Sequence, residues 1–99
     1  MVKLIILYGM PDETVEFEHH RETVHFPLLQ RVPGIRKIET TRITGMPIGD
    51  TRFYLLTEVY FDSKDSMDSA LASKQGKVFT RDLMGFATPL VTVCSGEVA

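Results

Sequence analysis

Between residues 2 and 8, apolar side chains fill both alternating sets, Leu4/Ile6/Tyr8 on one side and Ile5/Leu7 on the other. A strand of this kind needs cover on both faces. The stretch Gly9-Met10-Pro11-Asp12 interrupts it. Asp12 is placed to cap a helix, and Glu13 suits that helix's positive end. Along the helix Phe17, His20, Val24 and Leu28 recur at i, i+3, i+7 and i+11, which predicts one continuous buried stripe. Pro33-Gly34 then turns the chain. Residues 35–44 alternate, but both sets mix polar with apolar, as expected of a partly exposed edge strand. Residues 45–50 are rich in turn formers. Residues 52–61 make the strongest strand, with Phe53, Leu55, Thr57, Val59 and Phe61 alternating against Tyr54, Leu56, Glu58 and Tyr60. Asp62-Ser63 can cap a helix carrying Met67, Ala70 and Leu71. A second helical stretch follows with Val78, Phe79, Leu83, Met84 and Phe86, and Gly76 is expected to break or bend the path between the two. Pro89 leads into a last strand at 90–95.

The order is βαββαβ, the split βαβ arrangement: a four-stranded antiparallel sheet with its helices on one face. Ninety-nine residues suffice for one such domain, spanning 1–99. Helices cover only one side of a sheet, yet the first and third strands are apolar on both. A lone chain would leave an aromatic patch in water that can exceed the ~400 Å² usual for monomers. The pattern therefore predicts a homodimer in which two sheets meet, the tyrosines filling the dimer core and Glu58 pairing with Arg36, Arg42 or Arg52.

Composition narrows the partners. A net charge of -2 carries no basic footprint for nucleic acid or anionic lipid. The third strand also lacks the glycine–aromatic spacing of an RNA-binding sheet. The apolar run 4–8 is far too short to cross a bilayer or to act as a signal peptide. Cys94 is the only cysteine and cannot form an internal disulfide, which fits a cytoplasmic protein.

The chemistry concentrates at Phe17-Glu18-His19-His20-Arg21-Glu22-Thr23-Val24-His25-Phe26-Pro27. Pro27 lacks an N–H and crowds the preceding turn, so the helix should kink or stop there, and Phe26 is pushed from the α region. A histidine beside such a break can point into a cavity. His25 is thus the candidate general acid or base, since an imidazole titrates near neutrality; the plain alternative is a helix-end histidine bonded to a backbone carbonyl. A metal site is not expected. His19 and His20 are adjacent and point apart, and His25 lies five residues beyond His20 rather than three or four. His20 reads as a packed, hydrogen-bonded core residue. Tyr8, Tyr54, Glu58 and Tyr60 are expected to share inward-facing strand positions, with Tyr8 the phenol nearest the chemistry.

The run His25-Phe26-Pro27-Leu28, followed by Val32-Pro33-Gly34-Ile35 and by Glu58-Val59-Tyr60-Phe61-Asp62-Ser63, resembles the EthD family of the dimeric α+β barrel superfamily. The resemblance implies a ferredoxin-like fold, two such halves joined sheet to sheet, and a small cavity in each protomer between sheet and helices. It also implies relatives engaged in ether degradation or in dehydration and cyclisation of polyketide-like aromatics, and often a tryptophan or other aromatic where His20 stands. On this footing the expected activity is that of a small cofactor-independent enzyme. It would act on a compact hydrophobic carbonyl or aromatic compound by dehydration, isomerisation or cyclisation. His25 and Tyr8 would be catalytic, and Phe26, Tyr54, Phe79, Leu83, Met84 and Phe86 would form the apolar walls. The alternative is a non-catalytic dimer that binds or carries such a molecule.

Overall fold

The computed structural model describes residues 1–49 and 52–99. Strand β1 (Val2–Gly9) is followed by helix α1 (Thr14–His20), a π-helical turn (Arg21–His25) and helix α2 (Phe26–Gln30). Strands β2 (Lys37–Arg42) and β3 (Phe53–Phe61), helices α3 (Lys64–Ala72) and α4 (Lys74–Ala87), and strand β4 (Val91–Glu97) complete the chain. The turn expected at 45–50 runs into Asp50, outside the described residues. The four strands lie in the order β2-β3-β1-β4, every neighbouring pair antiparallel. The helices contribute to one core on one side of the sheet. This is the ferredoxin-like α+β fold. The mixed alternation of residues 35–44 is explained by position, since β2 is an edge strand and mostly exposed.

Alternation sorts the sheet. Leu4, Ile6 and Tyr8 of β1 and Leu55, Thr57, Val59 and Phe61 of β3 are buried beneath the helices. Ile5, Leu7, Leu56, Glu58 and Tyr60 turn to the other, uncovered face and are half-buried. There Glu58 pairs with Lys3 of the adjacent strand, not with Arg36, Arg42 or Arg52. The four residues expected to share a face are in fact divided. Tyr8 lies on the helix side while Glu58 and Tyr60 lie on the open side. Tyr54 leaves the alternation altogether: the β1–β3 register shifts between Tyr8, opposite Leu55, and Gly9, opposite Phe53. The extra residue at this bulge turns the Tyr54 ring toward α1, where it meets Phe17 edge-on at 5.6 Å.

The first helical region departs most from expectation. It neither stops nor breaks at Pro27 but runs on to Gln30. The π turn makes this possible. Its carbonyls bond five residues ahead, as Arg21 does to the N–H of Phe26, and the proline then falls in the first turn of α2, where a missing N–H costs little. The extra residue also rotates the stripe. Val24 is pushed outward, 39% exposed, while His25 turns inward at 3%, and Leu29 and Val32 follow it into the core. The helix begins at Thr14, with Glu13 rather than Asp12 at the cap position and no side-chain cap bond.

In the second region the break lies at Ser73, three residues before Gly76. The Ser73 hydroxyl donates to the carbonyl of Ala70 and accepts the N–H of Gly76, ending α3 and starting α4 at one residue. Gly76 sits inside α4, pressed on α3 so closely that a Cβ would come within 2.1 Å of the Ala70 carbonyl oxygen. Backbone cannot yield as a flexible side chain does. Gly76→Ala is therefore expected to cost about 2 kcal/mol or more and to lower the melting temperature by roughly 10 °C, readable by thermal circular dichroism.

Candidate active site

Four elements bring their polar groups to one point. On α4, Phe79, Asp82 and Phe86 fall at i, i+3 and i+7 and share the face packed on the π turn. The π turn supplies His25, and α1 ends on His20 five residues earlier. In an α-helix that spacing would splay the two imidazoles. The inserted residue brings them to the same side, and both reach one carboxylate. His20 Nε2 lies 2.8 Å from Asp82 Oδ1, and His25 Nδ1 lies 2.9 Å from Asp82 Oδ2. From the sheet, the Tyr8 hydroxyl stands 3.0 Å from His25 Nε2.

These contacts fix the protons. A carboxylate only accepts, so each imidazole donates to Asp82 from the nitrogen facing it. His25 then presents a bare Nε2, which accepts the Tyr8 O–H. Every buried side-chain nitrogen and oxygen among the described residues has a partner. Phe79 stacks on the His25 ring at 4.7 Å and Phe86 covers it at 4.6 Å, while Phe86 also lies 4.5 Å from His20. Burial in this aromatic shell lowers the His25 pKa. The Asp82 hydrogen bond and charge oppose the shift without cancelling it, and electrostatic repulsion from the neighbouring His20 and Arg21 side chains reinforces it. Burial pushes the Tyr8 phenol far above its ordinary range, against a smaller opposing bond from Thr57. Tyr8 therefore stays a proton donor to a neutral His25 at neutral pH.

A second polar cluster braces the first. Glu18 accepts from the Tyr54 hydroxyl at 2.7 Å, from Arg21 at 2.9 and 3.1 Å, and from Arg42 at 3.1 Å. Burial alone would raise its pKa, but these three partners outweigh burial and hold it below the usual carboxylate range. Beside both clusters opens a cleft of about 450 Å³. Its apolar surface is Phe17, Phe86 and Leu90, with His20 among them; Pro11, Asp12, Glu13 and Glu16 complete its lining.

Of the residues expected to serve the site, His25 and Tyr8 are bonded to each other, and Phe79 and Phe86 enclose the imidazole. Leu83 is core. Tyr54 serves the site from behind, through Phe17 and Glu18. Phe26 is half-buried and Met84 half-exposed, and neither lines the cleft. His20 is packed and hydrogen-bonded as expected, but a third of its side chain is exposed and it belongs to the cleft. Asp82 was not anticipated. Its signal was a carboxylate lying within the helical stripe of Phe79 and Phe86. Among the described residues no group of three or more His, Cys, Asp and Glu side chains is arranged to hold a metal ion.

The shifted groups make stability depend on pH in two windows. The unfolded imidazole gains its proton as pH falls through about 6.5, whereas buried His25 resists until a lower pH. Between those values the unfolded state binds the extra proton, so stability should fall as pH drops below about 6.5 and level off under the folded pKa. The depressed pKa of Glu18 adds a second loss as pH falls below the usual value of 4.5. Thermal melts across pH should show both, and His25→Gln should remove the upper window alone. Tyr8→Phe should leave Nε2 without a donor and cost about 1–3 kcal/mol.

Comparison with known proteins agrees with this architecture. The EthD domain family model matches residues 11–89. An ethyl tert-butyl ether D (EthD) family protein of Bacillus halodurans C-125, known from its crystal structure, is 40% identical, with a TM-score of 0.95 over 100% of this chain and 99% of that one. An uncharacterized 11.0 kDa protein of Rhodococcus erythropolis is 28% identical over 93 residues, 94% of this chain and 90% of its own. A hydroxynitrile lyase of Passiflora edulis shares the fold with a TM-score of 0.77 at 14% identity, over 99% of this chain and 93% of that one. With most of its length matched by the family model and a close structural relative along its whole length, the chain belongs to the EthD family.

Proposed function

We propose that the protein is a small acid–base enzyme acting on a compact apolar carbonyl or aromatic compound, with the Tyr8–His25–Asp82 array as its proton-handling centre. One observation carries this reading: a buried imidazole held neutral between a phenol and a carboxylate, one aromatic layer behind an apolar cleft. A neutral imidazole accepts a proton near physiological pH, and the carboxylate at its far nitrogen stabilises the imidazolium that forms. Phe17 and Phe86 provide an apolar aromatic wall for the ligand. Proton transfer between carbon, oxygen and nitrogen supports dehydration, isomerisation or cyclisation, and it needs no cofactor. The hydroxynitrile lyase among the fold relatives is in keeping with a lyase-type use of this architecture, as an analogy of fold alone.

A second reading is favoured by the completeness of the array. His25 is 3% exposed and both its nitrogens are engaged, as in a rigid polar core under a binding cleft. The two readings separate in an exchange assay. Deuterium uptake at the α-carbon of 1-indanone and related aryl ketones in D₂O, followed by NMR, detects an acid–base enzyme without knowledge of its natural substrate. The first reading expects catalysed exchange that His25→Gln lowers about 10²–10⁴-fold with the fold intact. Binding without exchange would establish the second.

The reading includes a homodimer, and a cytoplasmic setting suggested by the free thiol of Cys94. No helix of the described residues is long and apolar enough to cross a membrane. Ile5, Leu7, Leu56 and Tyr60 form an uncovered apolar band on the sheet, and a second copy is its natural cover. Such an interface should bury about 2,000 Å² or more. Light scattering should give twice the chain mass of 11.2 kDa. Leu56→Asp should reduce that to one chain, because a lone buried carboxylate costs several kcal/mol. A stable monomer of the parent at micromolar concentration would remove the dimer from the proposal.

A further inference from the structure

His20 and His25 share Asp82 but differ in what else can reach them. The His25 ring is enclosed by Phe79 and Phe86, and its second nitrogen is taken by Tyr8. The His20 side chain is 34% exposed and lines the cleft. Its Nε2 is held by Asp82, and its Nδ1 has no hydrogen-bond partner among the described residues. Because Asp82 accepts from Nε2, the proton of a neutral His20 sits there and Nδ1 carries a free lone pair. Phe86, at 4.5 Å and 30° to the ring, fixes its plane along the cleft wall. A base is thus held in orientation at an apolar surface.

Resting on the acid–base reading above, we propose that His20 is the residue at which this centre meets its ligand, a neutral flat aromatic compound bearing a hydroxyl group. Asp82 is the positioning residue that sets the His20 tautomer. The ligand's ring lies against Phe17 and Phe86. Its O–H donates to His20 Nδ1 and, in reaction, passes its proton there. The electron pair of the broken O–H bond stays on the ligand oxygen. His20 becomes an imidazolium paired with Asp82, and it returns the proton to the ligand at another atom as the reaction closes. Asp12, Glu13 and Glu16 beside the cleft disfavour anionic compounds and leave neutral ones. His25 and Tyr8 anchor Asp82 from the far side.

Imidazole nitrogen NMR of the intact protein tests this directly. The expected spectrum shows His20 protonated at Nε2 and bare at Nδ1. Asp82→Asn should scramble this tautomer, because an amide can accept from only one of the two imidazoles through its single oxygen. Titration with 2-naphthol should move the His20 Nδ1 resonance much more than those of His25. His20→Phe, which keeps an aromatic ring beside Phe86, should weaken 2-naphthol about tenfold while the protein stays folded by circular dichroism, although Asp82 loses one of its two donors. A His20 ring bare at Nε2, or 2-naphthol that fails to bind or leaves the His20 signals still, would overturn the inference. The deuterium-exchange assay keeps the two claims apart. Exchange that survives His20→Phe but not His25→Gln rejects the role of His20 and leaves the acid–base reading standing. Absence of exchange in the parent, with His20 Nδ1 still moved by 2-naphthol, rejects catalysis and upholds His20 as the ligand contact.

Discussion

The carboxylate of Asp82 joins three parts of the molecule that are distant in sequence: α4, which carries it, the continuous α1–π-turn segment, and β1. It takes one hydrogen bond from the end of α1 and another from the π turn, and through His25 it reaches β1 at Tyr8. A carboxylate in this position is costly to desolvate. It is tolerable because two donors face it and because it is only partly buried. Removing any one member would leave a polar atom stranded beneath Phe79 and Phe86, so the array acts as a unit rather than as separable bonds. That coupling gives α4 a fixed placement over the sheet, and with it the aromatic wall of the cleft.

The π turn is what permits such a unit. Helices favour contacts between residues three and four apart, and His20 and His25 are separated by five. A regular helix would have presented Val24 to the core and left His25 off to one side. Inserting one residue exchanges them, placing an imidazole where a methyl pair would otherwise pack. Pro27 is part of the same adjustment. It supplies no N–H, and the bonding pattern leaving the π turn asks little of one there. A sequence feature that signals a break thus coincides with a change of helical pitch.

Much of the architecture was legible in the chain because alternation and helical spacing report burial directly. The succession of strands and helices, the edge position of residues 35–44 and the two-sided character of the first strand all follow from which faces are apolar. The site was legible only at its ends. His25 and Tyr8 stood out as residue types in suggestive places, whereas Asp82 looked like one more charge on a helix. The partnership of His20 with His25 was hidden because five-residue spacing was judged by α-helical geometry. Simple alternation puts Tyr54 on the wrong face for a related reason, since it presumes an unbroken register and cannot reveal a bulge. Gly76 has the look of a breaker, yet it permits close contact between two helices, and the chain turns at Ser73.

The bulge and the π turn have a common consequence for function. Each inserts one residue into a regular element, and each turns an aromatic or imidazole ring toward the space between α1, α4 and the sheet. Tyr54 is thereby taken out of the open sheet face, which keeps Ile5, Leu7, Leu56 and Tyr60 as an apolar band with the Lys3–Glu58 pair set into it. Glu18 is in turn held by Tyr54, Arg21 and Arg42, so β2 and β3 brace the helix that carries His20. The surface suited to association and the cleft suited to a ligand consequently lie on opposite sides of one sheet. Tyr8 and Ile5 stand on the same strand but face opposite ways, and a change on the open face reaches the imidazoles only through the backbone of β1. A substitution on the open face and one beneath the helices therefore act on separate surfaces, which is a property of the alternation of a single strand.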